Sequence, residues 1–356
     1  MDFNKIKKFI LFIFIFSFLF SCTQREPSRA EFALGTICLV NLYEQGTNRA
    51  YQEIFNRIRE IENRMSVNIP GSDVSRVNAA AGIEPVRVHE DVFTVIERAL
   101  YFAEISGGAF DPTVGPLVSL WGIGTENQRV PRQPEIDEAV SLINWRNIEL
   151  DRQRLSVFLK YPGMALDLGA IAKGYAADEA AAAAKKTGIK QALFDLGGDI
   201  VACGIKKDKS PWRVGIQNPN GRRGAFIGIL NVSAAVVTSG VYERFFEKDG
   251  TRYHHIFSPF NGYPAQPKQA AQLTQAAQLK QAADNELLSV TVIADNAMDA
   301  DALSTAVFVL GYEKGRALIE SLPGTDAVFI FKDLSVRKTN GADFTLTDDS
   351  FLLDAL

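Results

Sequence analysis

Met164-Ala-Leu-Asp-Leu-Gly-Ala-Ile-Ala-Lys-Gly-Tyr175 is the stretch on which the reading of this chain turns. An apolar, strand-like run ends at Asp167, and Gly169 and Gly174 bracket a turn. From Lys173 an alanine-rich helix is expected to run through Ala184. An acid at a strand end, small residues in the turn and a lysine on the first helical turn suit a phosphate. Free backbone N–H groups and the helix dipole both favour an anion there. The same pattern serves an ordinary strand–turn–helix with a surface lysine, so its meaning depends on the rest of the chain.

The 356 residues are 47% hydrophobic and 22% charged, an ordinary globular composition with chain enough for one large or two modest domains. A formal net charge of −4, with no basic cluster after the N-terminus, argues against a nucleic-acid partner. Cys22, Cys38 and Cys203 show no metal-ligand spacing, and three histidines are too few for a His-rich metal site.

Lys5, Lys7 and Lys8 precede the apolar run Phe9 to Phe16, and Ser17-Phe-Leu-Phe-Ser-Cys22 follows. A basic start and a short apolar segment predict a bacterial secretory signal over residues 1–21. The run is short for a membrane span. Leu19-Phe20-Ser21-Cys22 resembles a lipobox, with a bulky Phe where a smaller residue is more usual. The expectation is lipidation of Cys22, a polar tether over 22–30 and a globular part over 31–356. Such a protein would be lipid-anchored to the bacterial cell membrane and face the periplasm. A signal anchor or a non-lipidated signal is the alternative. With Cys22 acylated, only Cys38 and Cys203 would remain to pair.

Phe32 to Leu42 reads as an opening strand interrupted at Gly35-Thr36. Ile54, Ile58, Ile61 and Met65 recur at helical spacing within Arg49 to Met65. Pro70-Gly71 turns the chain, Ser72 caps and Asp73 opens a short helix. A brief strand at Val86 to Val88 leads into a helix over 89–106. Gly107 to Pro116 is a loop stiffened by two glycines, two prolines and an Asp–Pro step, either an elbow or a carrier of function. A helix over 135–143 and a hairpin from Ile148 to Phe158 follow. Gln191 to Gly204 reads as strand, Gly-Gly turn, strand, and further strands are expected at 212–216, 225–232 and 235–242. Arg252 to Pro259 is a short strand running into a loop. Gln269-Ala-Ala-Gln-Leu-Thr, Gln275-Ala-Ala-Gln-Leu-Lys and Gln281-Ala-Ala repeat every six residues, out of step with the helical period, so 266–283 reads as a low-complexity surface insertion. A buried strand at 287–294, helices at 298–310 and 312–321 and a late strand at 327–331 complete the pattern. Alternating elements with antiparallel hairpins predict an α+β (mixed α/β) fold, one globular unit of two lobes.

Asp301 and Thr305 lie four apart on a predicted helix and share a face. A carboxylate and a hydroxyl are hard ligands suited to Mg²⁺, which usually keeps waters and phosphate oxygens as its others. Asp299 is a candidate to support them; a helix with solvated acids is the alternative. Asp167 and Asp111 are candidates to orient a polar ligand or move a proton. Thr238-Ser-Gly240 offers hydroxyls and N–H groups to phosphate oxygens, though it is also a common turn. His254 and His255 alternate on a strand, which sends one to a pocket and one to solvent. A pocket histidine beside metal and phosphate can take a proton from an attacking hydroxyl; a structural histidine is the simpler reading.

In combination and order the signals gain weight. Ala33-Leu-Gly-Thr36, Met65-Ser66 with Pro70-Gly-Ser72, Gly108-Ala-Phe-Asp-Pro-Thr-Val-Gly-Pro-Leu117 and Leu166-Asp-Leu-Gly-Ala-Ile-Ala-Lys-Gly-Tyr175 come first. Asp195-Leu-Gly-Gly-Asp199, Thr238-Ser-Gly240, His255-Ile256, Leu288-Ser-Val-Thr-Val292 and Asp301-Ala-Leu-Ser-Thr305 follow. Together they resemble the ApbE family, Mg²⁺-dependent FAD:protein FMN transferases that are often lipoproteins. The resemblance runs from about residue 31 to about 335. It implies FAD contacts at Leu34, Gly35, Thr36, Asn68, Ala109, Phe110, Asp111, Asp167, Lys173, Ser239, His255 and Ile256. It implies Mg²⁺ held by Asp301, Thr305 and the Ala170 carbonyl, with His255, Lys173 and Asp301 catalytic and His255 the base. The partner implied is an acceptor protein whose D-x-x-[ST]-G-A-T-like motif receives FMN while AMP leaves. At Asn68 many members carry Tyr; losing its ring could forfeit about 0.5–1.5 kcal/mol of stacking on the flavin nucleotide. FAD pyrophosphatase activity is therefore expected beside transfer. The alternative is a flavin-binding lipoprotein without turnover, which the Asp301, Thr305, Lys173 and His255 set disfavours.

Overall fold

The computed structural model describes residues 28–43, 47–222, 224–265 and 286–354. The expected signal, Cys22, most of the tether and the 266–283 insertion lie outside the described residues. In chain order the strands are β1 (Arg29–Ala33), β2 (Thr36–Leu42), β3 (Val86–Arg87), β4 (Ile148–Asp151), β5 (Ser156–Leu159), β6 (Ala192–Leu196), β7 (Asp199–Cys203), β8 (Trp212–Gln217), β9 (Phe226–Val232), β10 (Ala235–Gly240), β11 (Phe245–Lys248), β12 (Thr251–His254), β13 (Leu287–Ala294), β14 (Asp326–Phe331), β15 (Ser335–Lys338), β16 (Phe344–Leu346) and β17 (Leu352–Leu353). The helices are α1 (Asn48–Met65), α2 (Asp73–Ala79), α3 (Glu90–Ile105), α4 (Gly115–Trp121), α5 (Gln133–Ser141), α6 (Ala172–Lys186), α7 (Ala297–Leu310) and α8 (Tyr312–Ser321).

A nine-stranded sheet, ordered β1-β2-β6-β7-β10-β13-β14-β15-β17, is antiparallel except for its last pair. Period-two alternation gives it two apolar faces. Along β14, Ala327, Phe329 and Phe331 join the main core with α1, α6 and α7. Val328 and Ile330 point the other way, onto the three-stranded sheet β16-β9-β8. The result is a mixed α/β molecule in layers, helices on one face of the large sheet and a small sheet on the other. A third cluster around Trp121, Ile136 and Phe257 joins α4 and α5 to the segment after β12, where Trp121 Nε1 donates to the Gly262 carbonyl at 2.9 Å.

Most expected elements stand within a few residues of their predicted limits. Three depart for local reasons. The interrupted opening strand is a hairpin, with Leu34 (φ 54°) and Gly35 (φ 67°) turning β1 into β2. Leu34, which carries the steric cost of that conformation, is tied by its N–H to Glu62 Oε1 at 2.7 Å. The run before Asp167 belongs to no strand: Asn78 replaces a neighbouring strand, its side chain holding both the N–H and the C=O of Leu166. Gly174 closes no turn but lies inside α6. Cys38 and Cys203 are both free and buried, and burial pushes the Cys38 thiol up to about 12.

Candidate active site

A cavity of about 1080 Å³ opens where the β1–β2 hairpin, the β6–β7 turn, β10, the start of α6, α7 and the segment after β12 meet. Gly35, Thr36, Ala109, Phe110, Asp111, Asp167, Ala170, Lys173, Ser239, His255, Ile256, Asp301 and Thr305 all line it. Leu34 and Asn68 do not: Leu34 serves the hairpin turn, and Asn68 is exposed on the turn after α1. Thr238, Thr291, Asp199, Asp195, Tyr242 and Arg244 line it without having been singled out as site residues.

Two helices bring the charged groups together. Asp178 on α6 accepts the N–H groups of Ala297 and Met298, each at 2.9 Å, so one helix caps the next. Gly174 makes the approach close, because a Cβ there would lie 2.1 Å from the Ala297 carbonyl oxygen. Its own N–H donates to Asp301 Oδ2 at 3.0 Å. Lys173 Nζ then sits 2.8 Å from Asp199 Oδ2 and 3.6 Å from Asp301 Oδ1. Burial alone would lower the Lys173 pKa, but the two carboxylates outweigh it and hold it above the ordinary lysine value. Asp199 is pushed up by burial and by Asp301, against the pull of Lys173.

Beside Asp301 lies a patch of hydroxyls. Ser239 Oγ is 2.8 Å from Ser304 Oγ and 3.4 Å from Thr305 Oγ1. Asp301, Thr305 and the half-buried Ala170 all line this part of the molecule's cavity, and a carboxylate, a hydroxyl and a backbone carbonyl are the oxygen donors hard divalent cations prefer. Among the described residues no group of three His, Cys, Asp or Glu side chains is arranged to hold a metal, so water and ligand oxygens would have to complete the shell. That is the usual condition of Mg²⁺, and the residues fit it. Asp299 plays no part: it faces α3, where Arg98 grips both its oxygens at 2.7 Å.

His255 also lines the cavity. Its Nδ1 is 3.2 Å from the Arg244 carbonyl, which can only accept, so Nδ1 carries the proton and Nε2 keeps its lone pair. Burial, with the Arg244 guanidinium and Lys173 nearby, pushes its pKa down to about 4. His254 does not reach solvent as its alternation suggested. It is fully buried edge-on against Phe308, 5.6 Å between ring centres, because this face of the antiparallel β11–β12 pair turns to α7. Burial drives its pKa to about 3.

Asp111 lines the cavity, yet its oxygens serve the loop. Oδ1 accepts from the Thr113 N–H and hydroxyl, and Oδ2 from the Trp145 N–H at 3.0 Å. Asp167 accepts from the Gly169 N–H at 2.8 Å, and burial raises its pKa. The residues absent from the sequence-based set carried faint signals. Asp199 closes the quoted Asp-Leu-Gly-Gly-Asp turn, Thr238 opens Thr-Ser-Gly and Thr291 lies within the quoted Leu288-Ser-Val-Thr-Val292; nothing local marked Arg244.

The chain is 40% identical to a FAD:protein FMN transferase of Treponema pallidum over 350 residues, 93% of this chain and 90% of that protein. It is 38% identical to one of Klebsiella pneumoniae, covering 88% and 92%. The crystal structure of an ApbE protein from Thermotoga maritima matches with a TM-score of 0.75 and 34% identity, over 90% of this chain and 96% of that one. The flavin transferase ApbE from Vibrio cholerae gives 0.73 and 28%, over 91% and 97%. The ApbE family profile matches residues 34–329, a span that holds every residue described above as lining the cavity, and the chain belongs to the ApbE family.

Proposed function

We propose that this chain is a FAD:protein FMN transferase, moving FMN from FAD to a threonine or serine hydroxyl of a partner protein and releasing AMP. One observation carries the reading. A cavity of dinucleotide size gathers an ammonium, an oxygen donor set and a histidine with a free Nε2 lone pair. The acceptor hydroxyl oxygen attacks the riboflavin-side phosphorus of FAD and its proton passes to His255 Nε2. The bond from that phosphorus to the bridging oxygen breaks, and AMP leaves with that oxygen. Lys173, kept charged by Asp199 and Asp301, lies where negative charge grows on the phosphate oxygens. A Mg²⁺ held by Asp301, Thr305 and the Ala170 carbonyl would supply further neutralisation of that charge. Water in place of the hydroxyl gives FMN plus AMP, and we propose this pyrophosphatase reaction as a second activity. The volume of the cavity, and a His255 Nε2 without a hydrogen bond among the described residues, support it. The pattern Lys5 to Cys22 supports a lipid anchor at Cys22 on the bacterial membrane, facing the periplasm.

Mass spectrometry of the purified chain with FAD and a threonine-containing acceptor, in Mg²⁺ or EDTA, tests the reading. The expected result is FMN on the acceptor and free AMP, in Mg²⁺ only. FAD left intact under every condition would leave a flavin-binding protein without turnover. Asn68 is exposed and outside the cavity lining, so Asn68→Tyr is expected to leave FAD hydrolysis and FAD affinity unchanged. Slower hydrolysis with tighter FAD would bring position 68 into the site and make its side chain a determinant of the second activity.

A further inference from the structure

Three elements converge on one ammonium. Lys173 comes from α6, Asp301 from α7 and Asp199 from the first position of β7, where Val237 of β10 is its register partner. Asp199 is 1% exposed, and its side chain is held by the sheet rather than by a loop. The turn before it is stiff: Gly197 and Gly198 take φ 71° and 98°, and the Gly198 N–H donates to Asp195 Oδ1 at 2.8 Å.

The distances within the cluster are unequal. Lys173 Nζ is 2.8 Å from Asp199 Oδ2 but 3.6 Å from Asp301 Oδ1. Asp301 Oδ2 is committed to the Gly174 N–H, so Oδ1 is its remaining oxygen. An ammonium closing on Oδ1 would take the position a divalent cation requires, and the two positive charges would compete for one oxygen. With Asp199 in place the lysine has a nearer, better anchor.

We propose that Asp199 is a positioning residue that holds Lys173 back from Asp301, keeping Asp301 Oδ1 open for a divalent cation while Lys173 stays at the cavity wall. The proposal rests on the metal-dependent reading of the site given above. It makes Asp199 act on metal affinity through Lys173, without touching the metal.

The test is Mn²⁺ binding to the full chain without FAD or acceptor, read from the free-ion electron paramagnetic resonance signal. Asp199→Asn is expected to weaken binding about tenfold or more, the range seen when a partner orienting a metal ligand is lost. Lys173→Gln is expected to bind Mn²⁺ at least as tightly as the unaltered chain. Asp199→Asn combined with Lys173→Gln is expected to recover binding, because the competing ammonium is gone. Failure of the double variant to recover would make Asp199 a ligand in its own right and overturn the proposal. Weaker binding by Lys173→Gln alone would also overturn it, and that arm decides even if Asp199→Asn does not fold. An unaltered chain that binds no Mn²⁺ would sink the metal-dependent reading itself; one that binds it, but with weaker binding by Lys173→Gln or no recovery in the double variant, sinks only the role of Asp199.

Discussion

His255 owes its chemistry to a backbone carbonyl and to its surroundings. The Arg244 carbonyl selects the Nδ1–H tautomer, and burial with two cations nearby lowers the pKa from 6.5 to about 4. A lowered pKa keeps the ring neutral, and able to accept a proton, as pH falls through 6.5. The expected kcat/KM for FMN transfer is therefore level from pH 7 to about 5, with its acid limb near pH 4. A midpoint near 6.5 in the pH–rate profile would mean that His255 is solvated like a free histidine. Gly174 acts through the side chain it lacks. Gly174→Ala puts a methyl 2.1 Å from the Ala297 carbonyl oxygen and 2.8 Å from Asp301 Cβ. The expected cost is about 1–3 kcal/mol, with loss of transfer as Asp301 shifts, checked by urea unfolding and turnover on one preparation. Neither property is local in the chain. A glycine in an alanine-rich helix and one histidine of a pair look ordinary until their neighbours are placed.

Among the elements, α7 decides the site because it carries Asp301, Ser304 and Thr305 together. Its position is set from outside. Asp178 caps it from α6, Asn296 caps its first turn by accepting the Asp299 N–H at 2.9 Å, and Arg98 of α3 grips Asp299. Asp178→Ala leaves two N–H groups of the α7 start without that carboxylate. The expected loss is about 1–2 kcal/mol of stability, with a lower kcat and a folded near-native spectrum. Unchanged kcat would show that the other ties hold α7 by themselves. The 107–116 loop works the same way. Asp111 is spent on Thr113 and Trp145, which stiffens the loop and leaves the neighbouring Ala109 and Phe110 to line the cavity. The spacing of Asp301 and Thr305 was readable in the sequence because a helix repeats. The capping by Asp178 was not, since it joins residues 119 apart.

At the scale of the molecule the cavity lies where several parts of the fold meet. The large sheet, the small sheet through Val214 to Gln217, and the α4 region through Val114 and Val118 each contribute a wall. A ligand seated there ties these bodies together and binds only the folded chain, so it must raise the melting temperature. FAD with Mg²⁺ at about one hundred times its dissociation constant is expected to add about 2.7 kcal/mol, a shift of several degrees by calorimetry. EDTA is expected to remove part of that shift while FAD remains. Equal shifts with and without EDTA would place FAD in the cavity independently of metal.

Periodic and local features belong to the sequence by itself. Alternation along β14, the spacing of Ile54, Ile58 and Ile61, the Gly197-Gly198 turn and the Asp301–Thr305 pair are set by repeats of two and about four residues, or by one turn. Some of the cavity-lining residues were legible as well, through motifs in family order. Tertiary structure alone decided what meets across long stretches of chain. Asn78 standing in for a strand beside Leu166, His254 buried on Phe308 and the triangle of Lys173, Asp199 and Asp301 are of this kind. The reason is physical: a contact between distant elements leaves no periodic mark on either, and a charged group's pKa and partner are fixed by the packing that surrounds it.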